Sequence, residues 1–194
     1  RSPGGVVVDA PCGDGCHLPR LATLVAPHGT VLGIDRSPAY ANHARQSTGV
    51  ADASATFTIL EGDCQALPFD DAAVDIAWCA HSMASLPDPT TALAELKRVV
   101  RPGGVVAIVE NDSMHRILLP WPAEVEIAIR EAELTAFRET MPRPGGRYIA
   151  RGMTQLMKSV GLHSVARKTY TKECTTPFNT AVRDYLNLYL HELN

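Results

Sequence analysis

The chain has 194 residues, of which 45% are hydrophobic and 20% charged, and its formal net charge is −3. That length holds one domain with its own core, and the composition excludes disordered and collagen-like chains. The charge lacks the basic excess of a broad nucleic-acid binder, and no apolar run nears the ~18 residues needed to cross a bilayer.

Arg1-Ser2-Pro3-Gly4-Gly5 leads straight into Val6-Val7-Val8, so no signal peptide is expected. The five cysteines, Cys12, Cys16, Cys64, Cys79 and Cys174, are odd in number and scattered. Cys12 and Cys16 are too far apart for a Cys-x-x-Cys pair. Reduced thiols in a cytoplasmic protein, without a metal site, are the expectation.

Val6–Ala10 is the first strand candidate and ends in a Gly-rich turn. Leu18–Val25 reads as helix, stopped by Pro27-His28-Gly29. Thr30–Asp35 is a second strand, and Pro38–Ser47 a helix capped by Ser37. Thr56–Glu61 is a third strand. Val74–Cys79, apolar apart from Asp75, is a fourth. Thr90–Val100 has an apolar face of Leu93, Leu96, Val99 and Val100, with Thr90 or Thr91 as its cap. Arg101-Pro102-Gly103-Gly104 ends it, and Val105–Glu110 is a fifth strand. Strands alternating with helices imply an α/β, doubly wound, mostly parallel sheet with helices on both faces. Ligands of such sheets bind beyond the carboxyl ends of the strands.

Past Glu110 the pattern changes. Trp121–Glu139 reads as helix, broken by Met141-Pro142-Arg143-Pro144-Gly145-Gly146. Gly152–Val160 reads as helix, Ser164–Lys172 as strand, and Thr180–Leu193 as amphipathic helix. Residues 1–194 are therefore expected to form a single domain, with residues 111–147 inserted after the fifth strand as a helical lid over the substrate. Trp121, Arg147 and Tyr148 are its candidate contact residues, while Glu124, Glu126, Glu131 and Glu133 read as a solvated helix face.

The turn Asp9-Ala10-Pro11-Cys12-Gly13-Asp14-Gly15 lets backbone approach a ligand at a helix N-terminus. Asp35 closes the second strand 20 residues after Gly15, the spacing at which an acid reaches ribose hydroxyls. A dinucleotide site would want a third glycine where Leu18 stands. Asp9 at the strand end would repel a diphosphate but suit a cationic amino-acid group, which favours a positively charged nucleoside.

At this point the sequence resembles class I S-adenosylmethionine-dependent methyltransferases, of the small-molecule, type 11-like branch. The resemblance rests on five segments in order. These are Asp9-x-Pro11-x-Gly13-x-Gly15, Gly33-Ile34-Asp35-Arg36-Ser37-Pro38, Gly62-Asp63-Cys64-Gln65-Ala66-Leu67-Pro68-Phe69, Val74–Cys79 running on to Leu86-Pro87-Asp88-Pro89, and Leu96–Gly104. It implies a Rossmann-like fold and S-adenosylmethionine as cofactor, with S-adenosylhomocysteine as product. Pro11, Cys12, Gly13 and Gly15 would then pack on the methionine part, and Asp9 would orient its amino group. Asp35 would hold the ribose, Arg36 would flank the adenine, and Gly62-Asp63-Cys64 would read the ring. Cys79 would lie near the reacting methyl.

Pro11 stands where the family has its first glycine. Ala84 and Ser85 stand where many relatives carry a His-His pair, so that base does not carry over. His81 and His115 are the remaining base candidates. The implied reaction is in-line transfer of the methyl to a small-molecule O, N or C acceptor. An NAD-dependent oxidoreductase and a non-catalytic binding module of the same fold are the alternatives. Neither nucleic acid nor a membrane is expected as partner, and a homodimer stays open. Relatives usually carry helices before the first strand and a seventh strand at the end, so the chain reads as trimmed at both, or as one whose partner chain supplies these elements.

Overall fold

The computed structural model describes residues 3–48, 55–111, 121–140, 148–171, 174, 177 and 179–192. Five strands form one parallel sheet: β1 (Val6–Asp9), β2 (Gly29–Asp35), β3 (Ala55–Glu61), β4 (Val74–Ala80) and β5 (Val100–Val109). Their order is β3-β2-β1-β4-β5, so the chain winds outward in both directions from the β1–β4 junction. That junction is the topological switch point, where the crossovers leave a crevice at the carboxyl ends.

Two apolar layers cover the sheet. On one face Val7, Val31 and Ile59 pack with Leu18, Leu21, Ala22 and Val25 of α1 (Leu18–Val25) and Ala41 and Ala44 of α2 (Pro38–Thr48). On the other, Val8, Ala77 and Cys79 pack with Leu93, Leu96 and Val99 of α3 (Pro89–Val99). Met153, Leu156 and Met157 of α5 (Ile149–Ser159) complete that layer. Adjacent valines of β1 thus serve opposite layers, as period-2 geometry requires. α4 (Ala123–Thr140) and α6 (Thr180–Glu192) complete the described elements.

Ser37 Oγ accepts from the Tyr40 N–H at 3.4 Å, in keeping with its expected capping of α2. The cap of α3 differs from expectation. Asp88, not Thr90 or Thr91, holds the helix start: its Oδ1 accepts the N–H groups of Thr90 (2.9 Å) and Thr91 (3.1 Å). Pro89 follows it in the first turn, where a fixed φ and a missing N–H cost nothing. The Arg101–Gly104 stretch also differs, for it does not precede the fifth strand but lies within it. The β4–β5 ladder starts at Val74 opposite Val100 and shifts before Ile76 meets Val105, so the turn residues form an irregularity in the strand.

Residues 163–171 are not a strand. Only Val165 is half-buried there, with Arg167, Lys168 and Tyr170 all exposed, so no apolar face is available to pair. Nor is α4 wet throughout on its acidic side. Glu124 and Glu131 are exposed, but Glu126 and Glu133 turn to Arg130 at 3.2 and 3.8 Å. Trp121 and Tyr148 are half-buried, and Arg147 lies outside the described residues.

Candidate functional site

The loop after β1 is built so that its backbone faces the carboxyl ends. Gly13 and Gly15 take the left-handed region, with φ of 54° and 82°. The Gly15 N–H donates to Cys12 O (3.0 Å) and the Cys12 N–H to Ile34 O (2.7 Å), tying the loop to β2. A side chain at Gly15 would meet Ala44 Cβ at 2.9 Å and Ala44 Cα at 3.0 Å, so this glycine lets the loop lie on α2. A side chain at Gly13 would meet nothing within 4 Å. Its glycine therefore keeps space open rather than permitting protein packing. Leu18, fully buried, fills the place where a dinucleotide turn would have its third glycine.

Asp35 organises the same loop. Its Oδ2 accepts the Gly13 N–H and its Oδ1 the Ser37 N–H, both at 2.8 Å. Each carboxylate oxygen retains a lone pair after one such bond. The β3 loop follows. The Gly62 N–H donates to Asp35 O (3.0 Å), and Asp63 Oδ1 accepts the Gln65 N–H (2.8 Å). Two side chains of α3 fasten this loop from below. Glu95 Oε2 accepts the Leu67 N–H at 2.9 Å, while Arg98 donates to Leu67 O, Phe69 O and Glu95. Gln65 Oε1 accepts the Asp88 N–H at 3.1 Å, so the α3 cap belongs to the same network.

Asp9 is the outlier. It is 1% exposed at the end of β1, and neither carboxylate oxygen has a hydrogen-bond partner. Burial first, and the neighbouring Asp35 charge second, push its pKa up to about 8. A buried acceptor without a donor costs ~1–3 kcal/mol, so such groups are scarce in folded proteins. Burial also pushes the Cys12 thiol to about 12 and Cys64 to about 11, and raises Cys79 well above its ordinary value. These buried, neutral thiols are packing groups rather than nucleophiles.

The mutual charge effects show which of the expected residues come together. Asp9, Cys12 and Asp35 interact across β1 and β2, Cys64 interacts with Asp63, Asp35 and Arg36, and Cys79 interacts with Cys64 and Asp9. Pro11 is half-buried at the turn, and Arg36 is exposed just past β2. His81 is exposed just past β4 with a left-handed φ of 55°, its N–H bonded to Val109 O at 2.8 Å. Strain of this kind in a non-glycine residue costs about 1–3 kcal/mol and gathers at functional sites. His115 lies outside the described residues.

Three further groups lie near the carboxyl ends. Glu110, one step past β5, has a buried Oε1 without a partner and raises the Cys79 pKa. Trp78, in register with Asp9, has a buried indole N–H that also lacks a partner. His17, just before α1, lies edge-on to Trp78 with centroids 5.7 Å apart, and 6.3 Å from His81. No local motif marks Trp78 or His17, because their meeting depends on strand register. Glu110 ends an apolar run, the one signal available for it.

Comparison with known proteins agrees with this geometry. The methyltransferase domain family matches residues 8–108, more than half of the chain. A 2-phytyl-1,4-naphtoquinone methyltransferase of Synechococcus elongatus is 35% identical over 118 residues, 61% of this chain and 49% of that protein. A demethylmenaquinone methyltransferase of Staphylococcus aureus is 32% identical over 108 residues, 56% of this chain and 44% of that one. Among solved structures, a SAM-dependent methyltransferase from Aquifex aeolicus is 26% identical with a TM-score of 0.53, covering 68% of this chain and 72% of that chain. The chain spans less than half the length of these curated relatives. With sheet order, glycine loop and acidic strand ends in agreement, the chain belongs to the methyltransferase domain family.

Proposed function

We propose that this protein transfers a methyl group from S-adenosylmethionine to a small-molecule acceptor. The observation that carries the reading is Asp9, a buried carboxylate with two unmet oxygens at the switch point. An ammonium group supplies donors to both and compensates the charge. The open space at Gly13 and the remaining lone pairs of Asp35 fit a ribose lying against the loop. Asp63 and the backbone of Gly62 and Cys64 are proposed to read the adenine, with Arg36 flanking it. Pro11, Cys12 and Gly15 shape the turn beneath the amino-acid end. When bound, the cofactor supplies an electrophilic methyl on a sulfonium centre.

The chain's own part is alignment, exclusion of water and control of protons. Cys79, fully buried near the end of β4, packs in the α3 layer and is proposed to lie close to the reacting methyl. On the acceptor side stand His81 and Glu110, the first a candidate base and the second a candidate hydrogen-bond acceptor. His115 keeps its place as the other candidate base. Residues 111–147 are proposed to cover the acceptor. The relatives' names point to an apolar quinone-type ring as the acceptor class. All five cysteines are free, in keeping with a reducing, cytoplasmic location. No described helix is long and apolar enough to cross a membrane.

The test is transfer of radiolabelled methyl from S-adenosylmethionine to 1,4-dihydroxynaphthalene and to a panel of phenols and amines. Calorimetric titration with S-adenosylhomocysteine and NAD runs beside it. Product with at least one acceptor, and binding of the first ligand alone, is expected. Binding of NAD in preference overturns the reading.

A further inference from the structure

We propose that Asp9 and Trp78 together form a clamp for an α-amino-acid zwitterion, Asp9 taking the ammonium group and the Trp78 indole N–H the carboxylate. The inference rests on the cofactor reading above and names what selects its amino-acid end.

The two residues are direct neighbours across the switch point: β1 and β4 pair in register with Asp9 opposite Trp78. Two residues back, Val7 and Ile76 pack in the same core layer, so both side chains leave the sheet on the α1 face. Asp9 offers only acceptors when ionised, and an indole offers only a donor. Asp9 is buried and Trp78 half-buried, the carboxylate oxygens and the indole nitrogen are themselves buried without a partner, and although adjacent the two residues are not bonded to each other. One small group that carries a donor nitrogen and an acceptor oxygen about three bonds apart satisfies both at once. An α-ammonium carboxylate is such a group.

The surroundings fit the same ligand. α1 begins at Leu18 on this face, and the N-terminus of a helix favours a carboxylate. His17, immediately before it, holds the Trp78 ring edge-on at 5.7 Å and so fixes the direction of the indole. An indole N–H is a neutral donor. It therefore binds the carboxylate without placing a second positive charge beside the sulfonium.

The test compares S-adenosylhomocysteine with its decarboxylated analogue, 5′-deoxy-5′-[(3-aminopropyl)thio]adenosine, which keeps the ammonium and lacks only the carboxylate. Affinities are measured calorimetrically on the whole chain, unaltered and with Trp78→Phe. The unaltered chain is expected to prefer S-adenosylhomocysteine about tenfold or more, one charge-assisted hydrogen bond. Trp78→Phe is expected to bind the analogue as before and to lose most of the preference. Replacement of Trp78 by β-(3-benzothienyl)alanine, which keeps the ring shape without the N–H, gives the same result if phenylalanine disturbs folding. Equal binding of the two ligands by the unaltered chain overturns the clamp, as does a preference that survives either replacement. Failure of the unaltered chain to bind either ligand overturns the cofactor reading itself.

Discussion

Asp75 and Asp9 are carboxylates on neighbouring strands, at opposite ends of the sheet and in opposite surroundings. Asp75, near the amino end of β4, accepts the Val6 N–H and the Arg101 Nε–H, each at 2.7 Å. Those bonds hold its carboxyl below the usual range. Asp9, at the carboxyl end of β1, accepts nothing, and burial pushes it up to about 8. At the amino end folding itself meets the acceptors of Asp75, whereas at the carboxyl end it leaves those of Asp9 unmet. A sheet of one composition thus keeps its scaffold and its site apart by how fully each buried acceptor is met.

The largest expected effect follows from Asp9 in the empty protein. Its folded pKa lies above its unfolded value, so the folded state holds the extra proton between about pH 4 and pH 8. Stability is therefore greatest below the unfolded pKa and falls as pH rises towards 8, by up to ~1.4 kcal/mol per pH unit. Asp9→Asn is expected to flatten that slope in urea unfolding between pH 5 and pH 8. Asp75 has the opposite sign: its contribution is present above its unfolded pKa and lost as pH falls below about 4. A slope unchanged by Asp9→Asn would remove the contrast between the two ends.

Next comes Asp35. Asp35→Ala removes the carboxylate that holds Gly13 and Ser37 and, on this account, the ribose. S-adenosylhomocysteine should bind about 100-fold more weakly or worse, as two charge-assisted hydrogen bonds of ~1.5 kcal/mol or more each imply. Unchanged affinity by calorimetry would refute the assignment.

The two glycines separate scaffold from site within one loop. Gly15→Ala drives a Cβ to 2.9 Å from Ala44 at a φ of 82°, and should lower stability by about 1–3 kcal/mol. Gly13→Ala meets no protein atom and should cost only about 1 kcal/mol for its backbone. Its larger effect should be on S-adenosylhomocysteine affinity. Thermal unfolding with and without that ligand reads both, and equal stability losses would blur the distinction. The smallest effect belongs to Arg101→Ala. This half-exposed partner of Asp75 should cost at most about 1 kcal/mol and leave ligand affinity alone.

Much of this was legible in the sequence. The alternation of β-branched runs with amphipathic stretches predicts all five strands and their layering, because burial on both faces leaves continuous apolar runs. Asp9, Gly13, Gly15, Asp35 and Asp63 stand out in the sequence for a local reason: each lies at, or a few residues past, the carboxyl end of a strand. Trp78, His17 and Glu110 are not, since their roles depend on which strands are neighbours. The cap of α3 differs from its sequence pattern because Thr90 and Thr91 are good capping types, while Asp88 before Pro89 makes the better geometry. Ser164–Lys172 alternates like a strand, but its charges occupy both faces.

On the proposed function, the unmet carboxylate of Asp9 takes up a cationic ligand. S-adenosylhomocysteine affinity between pH 6 and pH 9, measured in two buffers of different ionisation enthalpy, tests it most directly. The account predicts about tenfold tighter binding per pH unit up to about pH 8, then a plateau, with close to one proton released per ligand bound at pH 7. Affinity that is flat with pH, without proton release, would contradict it.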